Sequence, residues 1–420
     1  MKPWIIEIAE PLPDIDNNFR YLRCGMLADA LIGRGHEVRW WSSTFNHMLK
    51  KNRFNKTTTI EPRPAFQITL LHGPGYKKNI SIGRIKHNRI TARSFEFQAH
   101  QCQSKPDVIL VCLPTLEMAE KAVAYGRAHC IPVVVDVRDP WPDLYLSAFP
   151  HFLRGIARLG LVSEFRRAQR ILRGASGITA VSETYLRWAL TYAGRPRQES
   201  DGVFPLGCVG PDIEAKRDIE SRAVALRDKY GLRRGIPVAT FIGMFGASYD
   251  LATVVAAAKE LQKVGSPNYQ IVLAGNGDNN SNLRKKAQGL PNVTFTGWID
   301  QTSMFQLMSI SSIGLATYSE GALQSLPNKP FEYMAAGLPL LSSLRGEMET
   351  IIQKYNIGLQ YQPGKVSSLV KQLCWFAANE EERRKMGFRA RRLFEEKYSD
   401  KVVYPKFISH LENIANKING

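Results

Sequence analysis

The sequence contains no pair of cysteines at CxxC spacing and no long apolar run. Its six cysteines are scattered along 420 residues, which argues against a disulfide framework and a zinc site and favours a reducing compartment. An apolar run of about 18 residues or more is missing, so we expect no membrane-spanning segment. The N-terminal stretch MKPWIIEIAE has too few apolar residues for a signal peptide and predicts a buried first strand instead.

Metal-ligand clusters and a complete dinucleotide-binding motif are also missing. The eight histidines are dispersed and no DxD motif lies at a convincing strand end, so we expect neither a metal nor a cofactor. Two glycine turns, GMFG at 243–246 and GNGD at 275–278, follow predicted strands, but neither completes a GxGxxG pattern. Each turn alone is more typical of a tight structural turn. The pair, at the ends of adjacent strands, favours a phosphate site.

Acidic residues are scarce relative to basic ones. The formal net charge is +18, and residues 50–93 hold eleven basic residues against one acid, Glu61. In a second basic stretch, 153–173, a helical stripe of apolar residues is predicted: Leu153, Ile156, Ala157, Leu161, Phe165, Ala168 and Ile171. A helix with a solvated basic face is a sufficient explanation for that stretch alone. The two basic stretches together make attraction to an anionic membrane surface equally plausible. Nucleic acid is the least favoured partner, because the basic stretches match no common nucleic-acid-binding module.

The length of the chain and its alternating pattern predict two α/β domains. A chain of 420 residues exceeds what one core usually holds. Apolar strands alternate with helices in two cycles, separated by a polar passage near 205–220, which predicts two parallel sheets covered on both faces. We expect Rossmann-like domains at 1–212 and 213–399, facing each other across a ligand cleft. We expect a helix at about 400–420 to pack back on the first domain.

The most informative stretch is QSLPNKPFEYMAAGLPLLSS, residues 324–343. Either Ser325 or Asn328 could cap a helix here. Two prolines fit only into its first turn, so the helix is expected to begin within 326–329. Its free N–H groups and the adjacent Lys329 suit a diphosphate. Glu332 lies about one turn further in, where a carboxylate could accept hydrogen bonds from ribose hydroxyls.

This stretch resembles the retaining family-four glycosyltransferases with the GT-B fold, especially the branch that builds bacterial surface polysaccharides. FEYMAAGLPLLSS matches that family's second glutamate and the turn after it, and VVVDVRDPWPD is similar to its RDxWP segment. Further likeness lies in MLADALIGRGHEVRWWSS, ITAVS and LFEEKYS. The resemblance implies metal-independent transfer of a hexosyl or N-acetylaminosugar group from a nucleotide sugar, with retention of configuration. The implied acceptor is a saccharide, typically linked to polyprenyl diphosphate.

The resemblance also implies roles for individual residues. Glu332 is expected to bind the ribose, and Asn328 and Lys329, next to Pro327, to meet the diphosphate. Other donor-side candidates come from the glycine turns and the first loop: Gly243, Phe245, Gly246, Gly275, Asn276, Gly277 and Arg20. The catalytic candidates are Gln324, Lys329, Arg138 and Asp139.

Three departures from the family pattern bear on these roles. Gln324 stands where the family has the first glutamate of an E-x7-E pair, so it can hydrogen-bond to a sugar but carries no charge. No basic residue follows the first strand of the second domain before Lys259, so positive charge for the departing diphosphate must come from elsewhere, best from Lys329. The pair Arg138-Asp139 replaces the usual His-Asp, and a salt-bridged strand end is an equal alternative there.

Two other functions remain open at this point. An NDP-sugar epimerase of the same fold would need no acceptor, and a non-catalytic nucleotide-sugar-binding protein is favoured by Gln324 and by the missing basic pair. For the transferase, the basic first domain and a lipid-linked acceptor imply a cytoplasmic protein, peripheral at the inner face of the plasma membrane. We expect an anionic membrane surface as a partner and no nucleic acid.

Overall fold

The computed structural model describes residues 1–16, 21–146, 149–211, 224–264 and 269–419. The chain divides into two compact units. The first unit comprises Met1–Pro205 with Val403–Gly420, and the second comprises Leu206–Val402. Each unit contains a mainly parallel sheet with helices packed on it, so the predicted doubly wound α/β class is confirmed.

Within the described residues, the sheet of the first unit has eight strands. They are β1 (Pro3–Ile6), β2 (Val38–Ser43), β5 (Thr58–Arg63), β6 (Phe66–Leu71), β7 (Val108–Leu113), β8 (Val133–Val137), β9 (Gly177–Ala180) and β10 (Gly202–Val203). Their order is β10-β9-β8-β7-β1-β2-β6-β5. Only β5, at one edge, is antiparallel to its neighbour. The order reverses at β1, which pairs in parallel with both β2 and β7. A separate short hairpin is formed by β3 (Phe45–Asn46) and β4 (Lys51–Asn52).

The helices of the first unit cover both faces of this sheet. They span Arg23–Gly33, Ile82–Gln101, Leu116–His129, Asp143–Leu146, Arg154–Gly160, Val162–Gly174 and Glu183–Ala193, with a 3₁₀ turn at His151–Leu153. The last helix, Asp400–Asn419, packs its apolar side into the same core, where Phe407 stacks on Phe204 with ring centroids 4.4 Å apart. Within the described ranges, no helix is both long and apolar enough to cross a bilayer.

The single amphipathic helix predicted through 153–173 is wrong. The chain instead forms two helices that part at Gly160 and Leu161, because glycine has a low helix propensity. In the second helix, Phe165 and Ile171 are buried, as the stripe requires. In the first helix no residue is buried, so its share of the predicted stripe faces solvent.

The sheet of the second unit is entirely parallel within the described residues. Its strands are β11 (Val238–Ile242), β12 (Gln270–Ala274), β13 (Val293–Gly297), β14 (Ile313–Ala316), β15 (Leu340–Ser342) and β16 (Gly358–Gln360). Their order is β13-β12-β11-β14-β15-β16, so the direction of winding reverses between β11 and β14. Residues 224–229 are helical, and the further helices are Leu251–Val264, Asn280–Lys286, Gln301–Ser309, Asn328–Ala335, Glu347–Tyr355, Val366–Ala378 and Glu380–Lys397.

A buried ion pair ties together the core of the first unit. Arg23 donates from Nε and Nη2 to the two carboxylate oxygens of Asp136, at 2.8 and 3.0 Å, and Thr179 Oγ1 donates to the same carboxylate at 2.8 Å. Both charged side chains are about 1% exposed. Burial alone would raise the pKa of Asp136, but the charge and hydrogen bonds of Arg23 outweigh it and hold that pKa below its usual range.

Removal of the Asp136 charge should therefore destabilise the first unit strongly. Asp136→Asn leaves Arg23 buried without a counterion, and we expect it to lower the free energy of unfolding by about 3–5 kcal/mol. Because the folded pKa of Asp136 is depressed, its contribution is present above the unfolded pKa and is lost as the pH falls through the folded one. Denaturant unfolding monitored on the first unit should thus show wild type and variant converging in acid.

The matched control is Glu396→Gln, which breaks an exposed pair with Arg392 on a helix surface. Solvent-exposed pairs of this kind contribute little to stability. Equal losses for the two variants, or a loss for Asp136→Asn that does not change with pH, would contradict the role of the buried pair.

Candidate functional site

The candidate donor site lies at the switch point of the second unit, where β11 and β14 are neighbours. Ligands of open doubly wound sheets bind outside the carboxyl ends of the strands at such a point. The two loops that leave these strands are tied together here. Ser319 donates its N–H to Ser248 O at 3.0 Å and its hydroxyl to Ala247 O at 2.9 Å. The floor of the crevice is therefore well defined.

Tyr333, which the sequence pattern did not single out, anchors a helix over this crevice. Its hydroxyl accepts the N–H of Ile242 at 3.0 Å and donates to Leu315 O at 3.3 Å, so it links β11 to β14. Gly314 provides room for the ring, because a Cβ at that position would lie 2.3 Å from it. The signal in the sequence was a tyrosine directly after Glu332, combined with a glycine inside a buried strand.

The anchored helix is Asn328–Ala335, with Pro327 at its N-cap. The start lies within the predicted range of 326–329. The predicted cap is wrong, because the N-cap residue is Pro327, which forms no side-chain cap hydrogen bond. The Ser325 hydroxyl instead donates to Glu347 at 3.2 Å. The first N–H groups of a helix have no partner inside it, so this uncapped end offers donors and a positive dipole to an anion.

The ammonium of Lys329 lies directly over the first glycine turn. Its Nζ donates to the hydroxyl of Tyr249 at 2.8 Å and lies 4.1 Å from the centre of that ring. A Cβ built on Gly243 would come within 2.4 Å of this nitrogen. The sequence lacks basic residues in the glycine turn itself, and the structure places Lys329 Nζ beside that turn from a different element.

The two glycine turns pack against each other, backbone to backbone. Gly243 has φ of +143° and Gly275 has φ of +140°, conformations that side chains rarely allow. A Cβ on Gly275 would lie 1.9 Å from Gly243 O, and one on Gly277 would lie 2.8 Å from Phe245 N. These three glycines are thus explained by turn packing. Open space lies above Gly246, where a Cβ would meet nothing within 4 Å.

Phe245, predicted as a donor-side residue, has a different role in the structure. Its ring is 1% exposed and packs in the core, and its N–H donates to Asn276 O at 2.9 Å. Neither group is available to a ligand, so Phe245 supports the turn instead. The side chain of Asn276 likewise accepts the N–H of Gly277 at 2.9 Å.

Glu332 and Gln324 are the remaining donor-side candidates in the second unit. Glu332 is 5% exposed, one turn into the anchored helix. The Oε1 atom of Gln324 is buried and has no hydrogen-bond partner among the described residues. Buried polar atoms are nearly always paired, so this oxygen is suited to accept a hydrogen bond from a ligand. Glu320, the nearest acidic residue before Gln324, is exposed.

Arg138 and Asp139 follow β8 in the first unit and have different environments. Arg138 forms ion pairs with Glu10 and with Glu7, the latter at 3.4 Å. Burial raises the pKa of Glu7 to about 7, although Arg138 opposes the shift. The guanidinium therefore faces two acidic side chains, which supports the salt-bridged interpretation for Arg138.

The carboxylate of Asp139, in contrast, has no hydrogen bond or ion pair within the described ranges. Burial raises its pKa to about 6, and the positive charges of Arg138 and Arg84 only partly offset that shift. A carboxylate that titrates near neutral pH at the carboxyl edge of a sheet is a candidate for contact with a substrate. Arg20, the remaining first-loop candidate, lies outside the described residues.

Two family models match separate parts of the chain. Residues 225–393 match the model described as "Glycosyl transferases group 1", and residues 23–200 match "Glycosyltransferase Family 4". Among curated proteins, no sequence matches this chain significantly.

Solved structures match over nearly the whole length. Sucrose-phosphate synthase from Thermosynechococcus elongatus has a TM-score of 0.72 at 17% identity and covers 98% of each chain. HepE of Anabaena, solved with UDP and glucose, has a TM-score of 0.68 at 13% identity, covering 98% of this chain and 100% of HepE. WaaG, a glycosyltransferase involved in lipopolysaccharide biosynthesis, has a TM-score of 0.65 at 16% identity with full coverage of both chains. The shared fold and the two matched families support a glycosyltransferase of the GT-B type.

Proposed function

We propose that this protein transfers a sugar from a nucleoside-diphosphate sugar to a saccharide acceptor, with retention of the anomeric configuration. The observation that carries the proposal is the position of Lys329 Nζ, over the glycine turn and beside the uncapped start of the helix Asn328–Ala335. A cation and free N–H groups converge there at a switch point, and this combination suits a diphosphate. The solved HepE complexes with UDP and with UDP-glucose support this donor class.

In this proposal the second unit binds the donor and stabilises its leaving group. Glu332 accepts hydrogen bonds from the ribose, and Gln324 Oε1 accepts one from the donor sugar. The acceptor oxygen bonds to the anomeric carbon while the bond from that carbon to the diphosphate oxygen breaks. The acceptor proton passes to the departing phosphate. While the bond to the anomeric carbon breaks, negative charge grows on the diphosphate. Lys329 and the helix N–H groups stabilise this charge without a metal.

For the acceptor we propose a lipid-linked saccharide used in surface polysaccharide synthesis at the inner face of the plasma membrane. The excess of basic residues in the first unit supports attraction to anionic lipid. The fold that the chain shares with WaaG is consistent with this setting. Asp139, with its unpaired carboxylate, is the residue of the first unit that we place against a substrate hydroxyl.

A non-catalytic nucleotide-sugar-binding protein is the second candidate, favoured by the absence of charge on Gln324. The two functions differ in turnover. Incubation with a panel of nucleotide sugars and lipid-linked acceptors should release nucleoside diphosphate if the protein is a transferase. A protein that binds donors but never releases nucleoside diphosphate would contradict the transferase. An epimerase would convert the donor sugar without any acceptor.

Lys329→Met should remove the main side-chain charge at the leaving group. We expect kcat for nucleoside diphosphate release to fall by about 10²–10³, the usual loss of one preorganised donor. The affinity for the donor should change less, because the charge on the diphosphate grows only in the transition state. The control is Lys259→Met, which changes an exposed lysine on the helix Leu251–Val264. Wild-type kcat in Lys329→Met would contradict the assigned role.

Asp139→Asn should raise the Tm of the protein and slow the transfer reaction. Because the folded pKa of Asp139 is raised, its charged carboxylate destabilises the folded protein fully above about pH 6, and this destabilisation diminishes as the pH falls from about 6 towards the lower pKa of the unfolded chain. The variant should therefore have a higher Tm than wild type at pH 7 and a smaller gain at pH 5, together with slower transfer. Thermal unfolding at both pH values tests this, with exposed Asp228→Asn as the control. A Tm gain that is independent of pH would contradict the prediction.

A further inference from the structure

Large apolar side chains that face solvent are concentrated in one unit of the protein. Among the described residues, ten of the seventeen such side chains lie in three short stretches of the first unit, 48–50, 79–86 and 149–159. Ile82 is 85% exposed and Phe152 is 80% exposed. We refer to the ten as the apolar face: Met48, Leu49, Ile80, Ile82, Ile85, Phe149, Phe152, Leu153, Ile156 and Leu159. Exposed apolar clusters of this kind mark interaction sites on proteins.

Contacts between the three stretches place them in one region. Lys50 Nζ donates to Asn79 Oδ1 at 2.5 Å, which joins the first stretch to the second. The guanidinium of Arg84 lies 4.8 Å from the ring centre of Trp141, which joins the second stretch to the segment that leads into the third. The helices Asp143–Leu146 and Arg154–Gly160 then pack on each other.

The third stretch includes a helix that the fold itself does not bury. None of the seven residues of Arg154–Gly160 is buried, and Ile156 and Leu159 are 69% and 74% exposed. A short helix gains most of its stability from packing of its apolar side. This helix has two glycines and an apolar side that the described residues leave exposed, so a partner that covers that side would stabilise it.

The charges in the stretches that carry the apolar face are mostly positive. Residues 50–93 contain eleven basic side chains and one acid, Glu61, and residues 149–163 contain Arg154 and Arg158 and no acid. Exposed lysines lie beside the apolar residues of the second stretch: Lys77, Lys78 and Lys86. A second copy of the chain would bring these like charges together, which is unfavourable. An anionic bilayer offers both an apolar interior and negative head groups.

We propose that the apolar face docks on a bilayer that contains anionic lipid, with its apolar side chains inserted among the acyl chains and its lysines and arginines at the phosphates. The proposal rests on the membrane setting of the proposed function and names the surface that makes the contact. Lipid binding is measured without a donor, so its failure and the failure of the proposed activity are separate results.

The test is co-sedimentation of the full chain with vesicles of phosphatidylcholine alone and of phosphatidylcholine mixed with phosphatidylglycerol. We expect strong binding to the mixed vesicles only, weakened by salt. The triple variant Phe152→Ser, Ile156→Ser and Leu159→Ser should bind at least about tenfold more weakly, since each inserted side chain contributes to the affinity. All three positions are exposed, so circular dichroism and Tm should show an unchanged fold.

Two single variants serve as matched controls. Phe97→Ser changes an exposed phenylalanine at the far end of the helix Ile82–Gln101, and Phe388→Ser changes one in the second unit. Both should bind vesicles like wild type. Failure of wild type to bind the mixed vesicles, or equal binding by the triple variant, would overturn the proposal. So would sedimentation of a lipid-free dimer that the triple variant abolishes, because the face would then cover a second copy.

Discussion

The hydroxyl of Tyr333 is the contact on which the candidate site depends. This hydroxyl accepts the Ile242 N–H and donates to Leu315 O, so it joins β11 to β14. Within the described residues, the winding of this sheet reverses only between these two strands. The helix that carries Tyr333 is thereby held over the crevice. Lys329 and Glu332 are on the same short helix, so one pair of hydrogen bonds positions the groups that we assign to the diphosphate and the ribose.

The charged groups of the first unit fall into two kinds. The Arg23–Asp136 pair is buried and hydrogen-bonded. The half-buried Arg138 lies against the buried carboxylates of Glu7 and Glu10, so these charged groups define the packing around β1 and β8. Asp139 is partly buried, has no such partner within the described residues, and titrates near pH 6. Unpaired charge of this kind costs stability, and its retention at the carboxyl edge of a sheet is understandable if a substrate provides the partner.

Much of this architecture could be predicted from the sequence, because it depends on local rules. Alternation of apolar strands and helices gave the two α/β sheets, and two prolines located the start of the Asn328–Ala335 helix. The errors arose where tertiary contacts decide. Ser325 bonds to Glu347 instead of capping the helix, and Phe245 turns into the core. The roles of Tyr333 and Tyr249 could not be predicted, since their partners lie 91 and 80 residues away in the chain.

The central claim is that the crevice at β11 and β14 recognises a nucleoside diphosphate. Calorimetric titration with a nucleoside diphosphate, the matching monophosphate and the free nucleoside tests it most directly, in wild type and in Glu332→Ala. Wild type should bind the diphosphate more tightly than the monophosphate, and Glu332→Ala should weaken binding of both through loss of the ribose contact. Equal affinity for diphosphate and free nucleoside, with Glu332→Ala indistinguishable from wild type, would contradict it.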